Sequence, residues 1–248
     1  MRIPQGLRSA LASQTGGGGG GASPPTTDEY FGDVSLLLYG DGTNGSTAIV
    51  DSSSNGHDIS VNGNAQISTT QSKFGGASMY FDGSGDYLSI PYDSTFDFPG
   101  DFTVEFWVRR AGDSTGGAGT TYEALIGSNQ SGVPRWTVYL NRSTKNIVWF
   151  GNDGSLRQTR GTTISDDTWY HIAWSRSGTT LKGFINGTQV YSATTSTSYT
   201  TSSSGLRVGY DHGANRQFYG YIDDLRITKG VARYTANFTP PTSALPSL

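Results

Sequence analysis

The chain has 248 residues, a formal net charge of -3, 34% apolar and 15% charged residues, and no cysteine. The near-neutral charge leaves no basic footprint for nucleic acid. The missing cysteines exclude disulfide staples and zinc–thiolate sites, and no apolar run approaches the ~20 residues of a membrane-spanning helix. Low apolar content can signal disorder, but disordered chains are poor in aromatics and rich in net charge. Here aromatics make up 12%, a balance that many short strands joined by polar turns explain better.

Along the chain, residues 1–14 carry Ile3, Leu7 and Leu11 at a spacing of four. That spacing puts them on one face of a helix, although Gly6 weakens the helix. Gly16–Gly21 follows as an unbroken glycine run, then Ala22, Ser23, Pro24 and Pro25. Such a segment is a flexible coil; the 18 residues from Ala12 to Glu29 reach roughly 23 Å r.m.s.. A linker joins two things, and a 14-residue peptide cannot fold alone. The expected organisation is therefore a docking peptide (1–14), a Gly/Pro-rich linker (15–32) and a globular domain (33–248), against the plainer alternative of a frayed terminus. Arg2 and Arg8 precede no apolar segment, so no secretory signal is expected.

From Asp33 the pattern is strand and turn. Strands are expected at Val34–Tyr39, His57–Val61, Ala77–Phe81 and Tyr87–Tyr92. Asp101–Arg110 alternates most clearly: Phe102, Val104, Phe106 and Val108 share one face, and Thr103, Glu105, Trp107 and Arg109 the other. Tyr122–Gly127, Arg135–Leu140, Asn146–Phe150 and Thr168–Arg176 follow. Thr180–Ile185 and Thr188–Tyr191 flank Asn186-Gly187, a strong hairpin signal. Leu206–Tyr210 and Phe218–Thr228 come last, with a short helix expected near Val231–Tyr234. About a dozen short strands and almost no helix imply an all-β, two-sheet antiparallel sandwich.

Five motifs in order resemble laminin-G-like, concanavalin A-like lectin domains. They are Phe81-Asp82-Gly83-Ser84-Gly85-Asp86-Tyr87-Leu88, Asp101-Phe102-Thr103-Val104-Glu105-Phe106-Trp107, Trp169-Tyr170-His171-Ile172-Ala173, Phe184-Ile185-Asn186-Gly187 and Tyr221-Ile222-Asp223-Asp224-Leu225-Arg226-Ile227. The resemblance implies a jelly-roll sandwich that binds glycans or proteins, in many members with a structural calcium ion. Asp41-Gly42-Thr43-Asn44-Gly45 and the stretch Ile227–Tyr234 are similar to segments of such domains in tailed-phage virion proteins. That likeness implies a virion surface protein, a capsid decoration or tail-fibre component. It would be made in a host cytoplasm and docked on capsid or tail proteins through Ile3, Leu7 and Leu11. The alternative is a secreted or cell-surface lectin or adhesin.

Catalysis has little support. Glycoside hydrolysis needs two carboxylates flanking the scissile bond. The only glutamates are Glu29, Glu105 and Glu123, none at the Glu-x-Asp-x-x-Glu spacing of sandwich hydrolases. No nucleophile elbow precedes a helix. The expectation is a non-enzymatic protein, with a glycoside hydrolase as the remote alternative. For calcium, which takes six to eight oxygens, Asp223 and Asp224 are adjacent in an apolar strand. One of them should face inward unless the strand bulges, and a buried carboxylate needs a partner. Asp51 and Asp41 are added by resemblance; backbone hydrogen bonds or pairing with Arg226 or Arg207 are the competing explanation. For host-surface glycans, Trp136, Tyr139, Trp149 and Tyr210 are the candidate stacking residues, with burial in a large sandwich as the alternative for each.

Overall fold

The computed structural model describes residues 27–116, 120–128, 136–151, 153–159, 161–211 and 215–247. Ile3, Leu7, Leu11, the linker glycines and His212 lie outside the described residues. In chain order the strands are β1 (Val34–Leu38), β2 (Ser60–Asn62), β3 (Gln66–Ser68), β4 (Ser78–Asp82), β5 (Tyr87–Ile90), β6 (Phe102–Arg110), β7 (Tyr122–Gly127), β8 (Thr137–Asn141) and β9 (Ile147–Phe150). They continue with β10 (Leu156–Gln158), β11 (Trp169–Ser177), β12 (Thr180–Ile185), β13 (Thr188–Thr194), β14 (Leu206–Val208), β15 (Tyr210–Asp211), β16 (Arg216–Gln217) and β17 (Tyr219–Lys229). Single 3-10 turns at Phe31–Asp33 and Ser94–Phe96 are the only helical elements described. The short helix expected near Val231–Tyr234 is not there; that segment instead runs irregularly, with Thr103 bonded to the Val231 carbonyl and the Arg233 amide.

Two antiparallel sheets face each other. The larger has the order β13-β12-β11-β6-β17-β4-β3, with β1 beside β17; the smaller is β10-β9-β8-β7-β14-β5-β2. The alternation seen in the sequence sets the core. Phe102, Val104, Phe106 and Val108 from β6, with Ile172 and Trp174 from β11, meet Leu88, Val138, Leu140 and Trp149 of the smaller sheet in one buried cluster. Sheets so packed bury the inward residues and leave every second side chain on an outer face.

The first family-like motif is the passage between sheets. β4 belongs to the larger sheet and β5 to the smaller, and Gly83 (φ +80°) and Gly85 (φ +85°) turn the chain. Asp82 Oδ1 accepts the Ser84 amide at 2.7 Å and Asp86 Oδ2 accepts the Asp82 amide at 2.8 Å, the local side-chain bonds typical of Asp in turns.

β17 changes partners midway. β6 flanks it throughout, while its first half pairs with β4 (Tyr219–Ile222) and its second with β1 (Leu225–Thr228). At the change a bulge interrupts the register between Asp223 and Arg226, with Asp224 left-handed at φ +47°. A bulge adds one residue. Ile222, Leu225 and Ile227 can therefore all enter the core while neither aspartate has to.

The Asn186-Gly187 hairpin forms as expected, with φ of +48° and +74°, a two-residue turn matched to strand twist. A Cβ on Gly187 would meet the Phe238 carbonyl oxygen at 1.9 Å, because the C-terminal segment lies against this turn. Gly187→Ala should cost about 1–3 kcal/mol in urea denaturation, combining left-handed strain with the clash. A loss below about 0.5 kcal/mol would mean that the C-terminal segment is not seated there.

Candidate functional site

Beyond the C-terminal end of β17 the chain folds back over the outer face of the larger sheet and buries charge there. Glu105, on that face of β6, is fully buried. Its Oε1 accepts Arg226 Nε at 2.9 Å and Nη2 at 2.7 Å; its Oε2 accepts Tyr234 Oη at 2.6 Å and lies 3.2 Å from His171 Nε2. Asp28 accepts Arg226 Nη1 at 2.9 Å and Arg233 Nη2 at 2.7 Å. Burial alone would raise the Glu105 pKa, but Arg226 and the His171 and Tyr234 hydrogen bonds hold it well below the carboxylate range. Arg226 and Arg233 line a cleft of about 560 Å³ bounded by residues 27–30 and 239–246, yet both are already paired with Asp28. Glu123 is likewise fully buried, bound to Arg110 at 3.0 Å and Arg142 at 3.2 Å. A hydrolytic pair must be able to reach a sugar, and neither glutamate is exposed.

Three of the four aspartates expected to hold calcium accept backbone amides instead. Asp51 takes the amides of Leu37, Ser53 and His57 and the Ser53 hydroxyl at 2.9–3.0 Å. Asp223 takes the amides of Lys73 (2.7 Å), Phe74 (3.2 Å) and Asp224 (3.0 Å), and Asp224 takes that of Leu245 at 2.9 Å. Burial pushes Asp223 up to about 7; burial and then the charge of Asp223 push Asp224 up to about 8, with Asp41 adding to both. Among the described residues no group of three or more His, Asp or Glu side chains could hold a metal ion, so these four do not form a ready calcium cage. The bulge, which the sequence does not announce, is what lets backbone amides reach both carboxylates. Arg226, one proposed partner, binds Glu105 and Asp28 instead.

Three of the four expected stacking residues are unavailable to a ligand. Trp136 and Trp149 are fully buried, stacked on each other with centroids 5.5 Å apart and planes 4° apart. Tyr139 is buried on the other side of the smaller sheet with Ala124 and Val148, its hydroxyl bonded to Asp211. Parity along a strand separates the two faces but does not say that both are covered, which is why the sequence left these rings open as candidates. Tyr210 alone is half-buried. It stacks on Tyr87 at 5.2 Å, with the Arg207 guanidinium 4.7 Å from the Tyr87 ring centre and 5.5 Å from that of Tyr210.

The arrangement best suited to a sugar lies elsewhere, at the β3 edge of the larger sheet. A cleft of about 560 Å³ is lined by Gly45, Thr47, Gly63, Asn64, Gln66, Tyr80 and Asp82. Its wall is the half-buried ring of Tyr80, held by Tyr221 at 4.9 Å and Tyr219 at 6.4 Å. Burial pushes the Tyr80 phenol up to about 12, so it stays a neutral hydroxyl. Two glycines shape the cleft. Gly45, at φ +80°, donates to the Ile67 carbonyl at 2.8 Å and lays its loop beside β3. Gly63, at φ +68°, has no room for a Cβ, which would come within 2.4 Å of Asp86. An apolar ring beside amide, hydroxyl and carboxylate groups is the lining that orients a saccharide. The sequence marked none of these residues as a ligand site; Asp82 and Gly45 entered it only as members of family-like segments, and Tyr80 only as part of the strand before the first of them.

No curated protein matches the chain. Among solved structures, it is similar to the binding domain of Paraclostridial Mosquitocidal Protein 1 (TM-score 0.62, 18% identity, 88% of this chain and 51% of that one). It is also similar to the receptor-binding domain of botulinum neurotoxin type G (0.57, 17%, 82% and 49%). The chain thus spans about half the length of these toxin domains. Domain 4 of a Geobacillus stearothermophilus GH43 extracellular arabinanase, solved in complex with arabinotriose, is similar over 81% of this chain and 94% of its own (0.60, 19%). The family model described as the concanavalin A-like lectin/glucanases superfamily matches residues 82–233, more than half of the sequence. The chain belongs to that superfamily.

Proposed function

We propose that this protein is a non-enzymatic saccharide-binding module whose principal site is the Tyr80 cleft. The observation that carries the reading is a half-buried tyrosine ring walling a polar cleft, while the glutamates that a hydrolase would need are buried in ion pairs. The arabinanase domain, solved with arabinotriose, supports the same class of ligand for this fold. Tyr80→Ala should weaken saccharide binding about tenfold, or 1.4 kcal/mol, by isothermal titration against a neutral oligosaccharide panel, with the melting temperature little changed. Equal affinity in the variant, or turnover of any panel member, would overturn the reading.

The finer part of the proposal concerns display. Residues 1–14 and the glycine linker suit a head tethered to a particle, where many weak sites add up through avidity. The expected particle is a virion whose capsid or tail holds Ile3, Leu7 and Leu11, leaving the sandwich to meet host glycans. Deleting residues 1–21 should abolish incorporation into particles, read by mass spectrometry of purified virions, and leave saccharide affinity intact. A secreted lectin would be absent from purified virions with or without residues 1–21 and would keep its saccharide affinity.

A further inference from the structure

The outer face of the smaller sheet holds a cation without a counter-charge among the described residues. Every other described arginine holds a carboxylate or, in Arg176, the carbonyls of Thr197, Phe98 and Gly100. Arg207 has neither: its Nη1 is buried with no hydrogen-bond partner, and the guanidinium rests on the Tyr87 and Tyr210 rings. The ring faces attract the charge, but they leave Nη1 unsatisfied, and a buried donor without an acceptor is costly. A planar guanidinium donates in its own plane, so stacking on the rings fixes the direction from which an acceptor must come.

The neighbourhood narrows the acceptor. Arg207 on β14 is paired with Ser89 on β5, which is paired with Ser60 on β2. These three outward residues form one cross-strand row. Asn62, opposite Tyr87, donates to the Ser89 hydroxyl at 3.2 Å. A planar cation beside two tyrosines and a row of hydroxyl and amide groups matches a carboxylate attached to a ring of hydroxyls. The protein as a whole is slightly acidic, so it offers no general attraction for anions, and affinity for one must come from a local site.

We propose that Tyr87, Arg207 and Tyr210 form a second subsite, on the sheet opposite the Tyr80 cleft, that takes the carboxylate of an acidic saccharide. The saccharide half of this assignment rests on the function proposed above, and the carboxylate half rests on Arg207. The test is isothermal titration of the full chain with oligogalacturonate and a sialylated oligosaccharide, each beside its methyl ester. At least one acid form should bind tenfold or more tighter than its ester. That preference should weaken with added salt, vanish in Arg207→Gln and survive only in part in Arg207→Lys, which keeps the charge but not the planar fork. Acid and ester binding equally would overturn the subsite and leave the saccharide reading standing. No binding of acid, ester or neutral panel would overturn both. Displacement by sodium acetate as effective as by the free saccharide acid would overturn the saccharide half. Should Arg207→Gln melt far below the parent chain, the acid-to-ester ratio of Arg207→Lys decides alone, and an unchanged ratio overturns the proposal.

Discussion

Glu105→Gln should destabilise this protein by about 3–5 kcal/mol, the cost of removing one partner from a buried ion pair. Glu105 is fully buried and its two oxygens serve Arg226, His171 and Tyr234. The amide keeps the shape but loses the charge facing Arg226 and turns a donor toward groups that themselves donate. Asp28 remains on Arg226, so part of the compensation survives and the lower end of the range is expected. For a domain of this size that is a fall of on the order of 10 °C in melting temperature. Saccharide affinity should not change, because Glu105 does not line the Tyr80 cleft. A variant as stable as the parent would show that the ion-pair network does not hold the C-terminal segment. A variant that is stable but loses a measured turnover would instead revive the hydrolase reading.

Stability should also fall as pH rises from about 5 to 8.5, and Asp224→Asn should remove much of the slope. Asp223 and Asp224 have folded-state pKa values raised to about 7 and about 8, against about 3.9 in an unfolded chain. The folded state therefore keeps protons that the unfolded state has released. The stabilisation is complete below the unfolded value, is lost as pH climbs through the folded values and is gone above them. A one-unit difference in pKa between folded and unfolded chain is worth about 1.4 kcal/mol, so the effect is large enough to read. Asn suits position 224 because it tolerates the left-handed backbone there and keeps an acceptor for the Leu245 amide. The measurement is a series of urea midpoints against pH, with and without millimolar calcium at pH 8. No response to calcium is expected from carboxylates held by backbone amides. A calcium-dependent rise at pH 8 that Asp224→Asn abolishes would show that these oxygens turn to a cation instead. A flat pH profile in the parent would mean that both groups are ionised throughout.

Period two and local turn chemistry were legible in the residues before any fold was known. Alternation in Asp101–Arg110 placed Phe102, Val104, Phe106 and Val108 on one face, and the structure turns that face into the core. Asn186-Gly187 announced its hairpin because only a few residues accept two consecutive positive φ values. Gln66–Ser68, Leu156–Gln158 and Arg216–Gln217 went unread as strands because three residues or fewer hold too little pattern to detect. Packing between distant segments settled the remainder. Parity could say that Trp136 and Tyr139 face opposite ways, but not that both faces are covered. In the sequence Glu105 is only a mid-strand acid; its burial and partners appear once Asp28, Arg226, Arg233 and Tyr234 arrive from the two ends of the chain. The Tyr80 cleft is assembled from three separate stretches, and Arg207 stands out only once every other described arginine is seen to have a partner. Local periodicity records which side of a strand a residue takes, while burial, charge compensation and cleft shape depend on segments distant in sequence.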